Sequence, residues 1–157
     1  MEYSIKILKE HFLVGKSVSM SILENKTQML WKQFMPKRRK IKNVISDDFF
    51  SVEVYPNDYF DAFIPTKTFK KWAAVKVENF KNQPEEFEQL YIPEGKYAVF
   101  TYKGKSSEAY KCYQYIYGEW LSVSGNSLDN RPHFAVMGEK YKNDDPTSEE
   151  EIWIPIK

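Results

Sequence analysis

The segment Glu149-Glu150-Glu151-Ile152-Trp153-Ile154-Pro155-Ile156 sets a carboxylate and an indole two positions apart in a strand-like alternation. Alternate residues of a strand share a face. Ile152, Ile154 and Ile156 therefore fall on one side, and Glu149, Glu151, Trp153 and Pro155 on the other. Aligning Ile154-Pro155-Ile156 with Val75-Lys76-Val77 puts Trp72 opposite Glu151 and Ala74 opposite Trp153. Two indoles, one carboxylate and a gap left by an alanine make a pocket for a flat cationic or polar aromatic molecule. A carboxylate among aromatic rings has its pKa raised by desolvation. It holds a cation when ionised, or acts as general acid or base when poised near neutrality. The competing account is a solvated acidic run opening a strand, with Trp153 as a surface ring over the sheet.

Other chemistry is sparse. His11 and His133 stand far apart, without the spacing of a metal-binding pair, so no metal site is expected. The glycines are isolated and form no phosphate-cradling loop. No serine lies in a nucleophile elbow. Cys112 is the single cysteine and falls in an apolar helical pattern, as a small core residue would. No cofactor is expected. The net charge of +1 provides no global attraction to nucleic acid or anionic lipid. The basic run Lys37-Arg38-Arg39-Lys40 lacks interleaved aromatics and reads as a solvated helix end. With no apolar run of membrane-spanning length and no signal-peptide pattern, a soluble cytoplasmic protein is expected.

The elements that must position these groups come as two similar stretches. One reads strand (His11–Met20), helix (Leu23–Arg38), strand (Phe49–Tyr55), strand (Lys71–Val77). The other repeats that order as Gln89–Tyr102, Ala109–Ser122, His133–Tyr141 and Glu150–Ile156. Met1–Glu10 leads into the first strand, and polar Asn82–Glu88 links the copies. A β-α-β-β unit of this size has one apolar sheet face to cover, so two copies pair about a pseudo-two-fold axis. The fold class is α+β: tandem repeats forming a curved antiparallel sheet. Two helices lie on one face and a ligand groove on the other. Residues 1–157 form one domain, the first repeat about 1–80 and the second about 88–157. Aromatic residues make up 17% of the chain, and some of Tyr110, Tyr113, Tyr117 and Trp120 must face solvent or the groove because they cover more than one helical stripe.

The second copy resembles the GyrI-like small-molecule-binding domain, the effector-binding domain of AraC-type and MerR-type multidrug regulators in bacteria. The resemblance rests on Ile92-Pro93-Glu94-Gly95-Lys96-Tyr97-Ala98-Val99-Phe100, on Tyr117-Gly118-Glu119-Trp120-Leu121 with Ser124-Gly125, on Arg131-Pro132-His133-Phe134 and on Glu149–Ile156. It implies that lipophilic, often cationic aromatic compounds bind between aromatic walls and an acid, matched here by Glu151. It also implies that some relatives hydrolyse electrophilic natural products with a pocket carboxylate. Ala135 and Met137 stand where the family often has Glu and Tyr, and Asn126 where a Tyr is common. The pocket is correspondingly more apolar and less equipped for proton transfer.

The favoured reading is a protein that binds, sequesters or senses an amphipathic, cationic aromatic compound, with no DNA-binding domain of its own and no direct contact with nucleic acid. Expected ligand contacts are Glu151, Trp153 and Trp72, with Tyr55, Phe100 and Met137 in support. One alternative is a hydrolase of electrophilic xenobiotics, with Glu151 as general acid or base and Tyr55 or Tyr113 as orienting donor. The other is a protein-interaction module, paired with a protein partner or with itself.

Overall fold

Chain segments 3–20 and 88–103 run antiparallel to one another and hold the molecule together in a computed structural model that describes all 157 residues. Each is interrupted once. The first comprises β1 (Tyr3–Leu8) and β2 (His11–Met20), the second β5 (Glu88–Ile92) and β6 (Gly95–Lys103). Their pairing keeps one register across both breaks, from Tyr3↔Phe100 and Leu8↔Gly95 to His11↔Ile92 and Gly15↔Glu88. Beyond the breaks, β2 pairs with β4 (Phe69–Val77) and β6 with β8 (Glu149–Pro155). The central strands β3 (Val44–Val54) and β7 (His133–Met137) pair with each other and complete the sheet. The order is β1-β6-β8-β7-β3-β4-β2-β5, antiparallel throughout.

The sheet buries both faces. On one face, α1 (Thr27–Phe34) lays Leu30 and Phe34 over Val14, Ala73, Val75 and Val77 of β2 and β4. On the same face, α2 (Ala109–Tyr115) continues through a π-helical turn, Ile116–Trp120, into α3 (Leu121–Ser124). Cys112, Ile116 and Trp120, spaced at i, i+4 and i+8, press onto Ala98, Phe100, Ile152 and Ile154 of β6 and β8. Gly125 at φ 77° ends that helix in the left-handed conformation that glycine adopts without strain. The helix-free face curls around a third cluster containing Leu13, Val52, Trp72, Tyr97 and Phe134, so its own side chains fill the concavity.

Several boundaries differ from those expected. Gln89–Tyr102 is two strands, because Pro93 has no N–H to continue the ladder. Met1–Glu10 contains a separate strand, β1, whose partner lies nearly 100 residues away, which no local pattern reveals. The last strand but one stops at Met137, and Gly138 and the residues after it turn back towards β8. The helix beginning after Asn25 gives way to a 3-10 segment at Met35-Pro36. The alternation of β8 holds, with Ile152, Ile154 and Ile156 beneath α2 and Trp153 on the opposite face.

At Gly15 a Cβ would lie 1.9 Å from the Ala73 carbonyl oxygen on the paired strand, so β2 and β4 approach too closely there for any side chain. We expect Gly15→Ala to destabilise the fold by about 1–3 kcal/mol. Thermal unfolding should register this as a loss of about 2–4 °C per kcal/mol.

Candidate functional site

Each helix covers two strands of its own repeat, which leaves the central β3–β7 pair between them. On the helix-bearing face, three rows of side chains cross this strip. Lys71, Glu53 and His133 form the first, through the pairs Glu53↔Lys71 and Glu53↔His133. Ala73, Ser51 and Ala135 form the second and Val75, Phe49 and Met137 the third. The middle row is small and buried, a low floor between larger neighbours.

Glu53 is only 8% exposed. Its Oε1 lies 3.4 Å from the Lys71 ammonium, while Oε2 is buried without a hydrogen-bond partner. Aromatic side chains from three directions surround this carboxylate. Tyr55 follows it on the same chain segment and packs on His133 at 4.9 Å between ring centroids. Tyr113 and Tyr117 come from the second helix, one turn apart and stacked at 6.4 Å. The π-helical turn contains Tyr117, whose hydroxyl hydrogen-bonds to His133 Nδ1 at 2.7 Å. Such turns displace the helical register and recur at functional sites. The third contribution is the β3–β4 connection, in which Tyr59 packs tilted against Tyr55 at 4.5 Å between ring centroids. Phe60 lies nearly parallel to His133 at 5.5 Å, and against Tyr117 at 5.1 Å, while remaining 41% exposed.

Burial pushes the Glu53 carboxyl above its usual range, and the Lys71 charge opposes that shift. Burial also raises the Tyr55, Tyr113 and Tyr117 hydroxyls, further increased by the field of Glu53. Each therefore stays protonated and able to donate at neutral pH. Burial, helped by Arg131, lowers His133 to about 3, so its ring is neutral. Glu150 on β8 is raised by burial and by Glu53, with Lys71 opposing. The result is an acidic, largely desolvated spot lined by π faces and hydroxyl donors. Such a site suits an apolar cation better than a neutral or anionic molecule.

The residues singled out in the sequence are split between faces. Glu151, Trp153 and Trp72 lie on the helix-free face, where Trp153 stacks on Phe134 at 5.4 Å and its Nε1 donates to Glu151 at 3.3 Å. Lys6 lies over the Trp153 ring at 5.8 Å, and Trp72 is buried in the cluster. Phe100 is buried beneath α2, and Met137 lies half-buried in the third row of the same helix-bearing face. Of these residues Tyr55 alone stands beside Glu53. Sequence reasoning passed over Glu53, Lys71, Tyr117, His133 and Phe60 as ligand contacts. The alternation of Ser51, Glu53 and Tyr55 against Phe50, Val52 and Val54 was readable, as was the Tyr113/Tyr117 spacing. Only the packing shows that both faces of β3 are buried.

Residues 5–156 match the integron-associated effector binding protein family, Cass2. The chain belongs to that family. Among curated proteins, the transcriptional regulator BrlR of Pseudomonas aeruginosa is 27% identical over 128 residues, which are 81% of this chain and 45% of BrlR. The chain thus spans less than half the length of that relative. Among solved structures, SAV2435 bound to tetraphenylphosphonium superposes with a TM-score of 0.75 at 16% identity, covering 100% of this chain and 94% of that one. An integron cassette protein from the mobile metagenome of Vibrio cholerae gives 0.69 at 15% identity, covering 99% and 95%. This chain and these structures share the GyrI-like fold of a curved antiparallel sheet carrying two helices.

Opposite pH dependences should separate the two titrating groups. The native state holds the Glu53 proton more tightly than the unfolded chain does. Stability from this group is therefore full below about 4.5, the unfolded carboxyl value, and is lost as pH rises towards the raised value. His133 sits below its unfolded 6.5, so its contribution is full above 6.5 and is lost as pH falls towards about 3. The Tm of Glu53→Gln relative to wild type should climb from pH 4.5 to 7, and that of His133→Asn from pH 6.5 down to 4. Scanning calorimetry across this range reads both, at about 2–4 °C per kcal/mol. Parallel curves for a variant and wild type would show that its group does not titrate differently on folding.

Proposed function

We propose that this chain is a cytoplasmic effector-binding protein that takes up a lipophilic aromatic cation between its two helices, over the β3–β7 strip, with Glu53 as counter-ion. The observation that carries this reading is the buried Glu53 Oε2, unpartnered and surrounded by Tyr55, Tyr113, Tyr117 and His133. Desolvated acceptors of this kind are rare because they weaken folding. A cationic ligand would supply the missing charge. Membership of an effector-binding family and the tetraphenylphosphonium bound to the similarly folded SAV2435 support the same class of ligand. Phe60 and Tyr59 sit on the connection above the carboxylate. Their rings are the side chains that an entering aromatic group would displace or stack upon.

Tetraphenylphosphonium and tetraphenylborate share shape and differ in sign, so together they isolate the charge. Quenching of tryptophan fluorescence reports binding, with Trp31 packed on Phe49 at the edge of the strip. Glu53→Gln should weaken the cation by roughly 10–100-fold, as expected for loss of a desolvated charge partner, and leave the borate unweakened. Glu151→Gln should change neither. A selective loss in Glu151→Gln instead would move the site to the helix-free face, beside Trp153 and Trp72.

A further inference from the structure

The acidic spot already contains a cation. Lys71 is paired to Glu53 across β3 and β4, with its ammonium 3.4 Å from Oε1 and its side chain only 12% exposed. Glu150 stands on the same helix-bearing face of β8, in line with Met137 and two rows along the strip from Glu53. It feels both Lys71 and Glu53, and Tyr113 from the second helix feels both carboxylates. Two acids and one base thus lie on one face of the strip, the Glu53–Lys71 pair buried and Glu150 half-buried, among side chains that are otherwise aromatic, small or neutral. His133 is uncharged there, and Arg131 is engaged by Asp129 and by the backbone carbonyls of Lys96 and Ile156. With all three groups ionised the strip carries one net negative charge.

We propose that Lys71 is a resident counter-ion that sets the valence of the site: it neutralises one of the two carboxylates, Glu53 and Glu150, so that the protein selects ligands carrying a single positive charge over doubly charged ones. The geometry leaves one carboxylate oxygen, Oε2 of Glu53, for the ligand while Oε1 faces Lys71. A dication would bring an excess charge beside a fixed ammonium in a poorly solvated place, where like charges repel strongly. Without Lys71 the same strip would carry two negative charges and accept both. The inference rests on the proposed site at Glu53 and adds a charge rule to it.

Ethidium and propidium provide a matched test, since they share one planar ring system and differ by a second fixed charge on a side arm. Fluorescence titration of the full chain should show ethidium bound more tightly than propidium by wild type. Lys71→Met should shift that ratio towards propidium by about tenfold or more. Lys71→Arg, which keeps the charge, should preserve the wild-type ratio. Glu150→Gln should weaken ethidium by about tenfold, because the strip is then neutral. Lys71→Gln is a second neutral variant should the methionine substitution fail to fold, with circular dichroism as the check. If Glu53→Gln weakens both dyes but neutral substitution of Lys71 leaves their ratio unchanged, the site stands and the charge rule is wrong. If Glu53→Gln weakens neither, or wild type binds neither, the site reading fails and the charge rule fails with it.

Discussion

The central constraint is that two short helices cannot cover an eight-stranded sheet. α1 seals β2 and β4, the second helix seals β6 and β8, and the β3–β7 pair is left on the axis between them. A strip of sheet without a helix above it must be covered by its own side chains, by a connection or by a ligand. Here the second helix contributes Tyr113 and Tyr117, and the β3–β4 connection contributes Tyr59 and Phe60. All these rings are packed, and Phe60 remains partly exposed. The cover is thus assembled from groups that can yield without opening either main cluster under the helices.

The opposite face illustrates the contrast. There the sheet curls over Leu13, Val52, Ala74, Ile92 and Tyr97, all of which are without exposure. Two of its polar groups are matched locally: the Tyr97 hydroxyl donates to the Pro132 carbonyl, and Trp153 donates to Glu151. Arg131 closes the rim with its guanidinium over the Tyr97 ring at 4.6 Å, its Nη1 buried without a hydrogen-bond partner, and Gly95 leaves the space that guanidinium needs. That face is finished as a core. The face with the helices is left with Glu53, a buried acid with one oxygen unmatched. Departures from otherwise consistent packing concentrate where a protein meets its ligands.

Much of the architecture was legible in local patterns. Ile152, Ile154 and Ile156 alternate as a strand over a helix must. Cys112, Ile116 and Trp120 recur at helical spacing, and Gly125 stops the helix. The tandem order of strand, helix, strand, strand emerged from the same patterns, and with it the pseudo-two-fold sheet. The π-helical turn at Ile116–Trp120 was not legible, because its residues satisfy an ordinary helical stripe equally well. Nor was β1, whose residues are largely exposed and whose pairing is entirely long-range.

The chain by itself determined which residues alternate, which segments are helical, and that the two halves build one curved sheet, because these depend on spacing among near neighbours. It also placed Glu151 and Trp153 together on one face and Ile152 and Ile154 on the other. Tertiary structure decided which face becomes a filled core and which retains an unmatched charge. Period-two alternation distinguishes the two sides of a strand but assigns neither to solvent when both are covered. Glu53 reads as an outward residue of a half-buried strand until a helix, a connection and the neighbouring Lys71 are brought over it. Its chemistry comes from desolvation, which is a property of everything packed around the carboxylate.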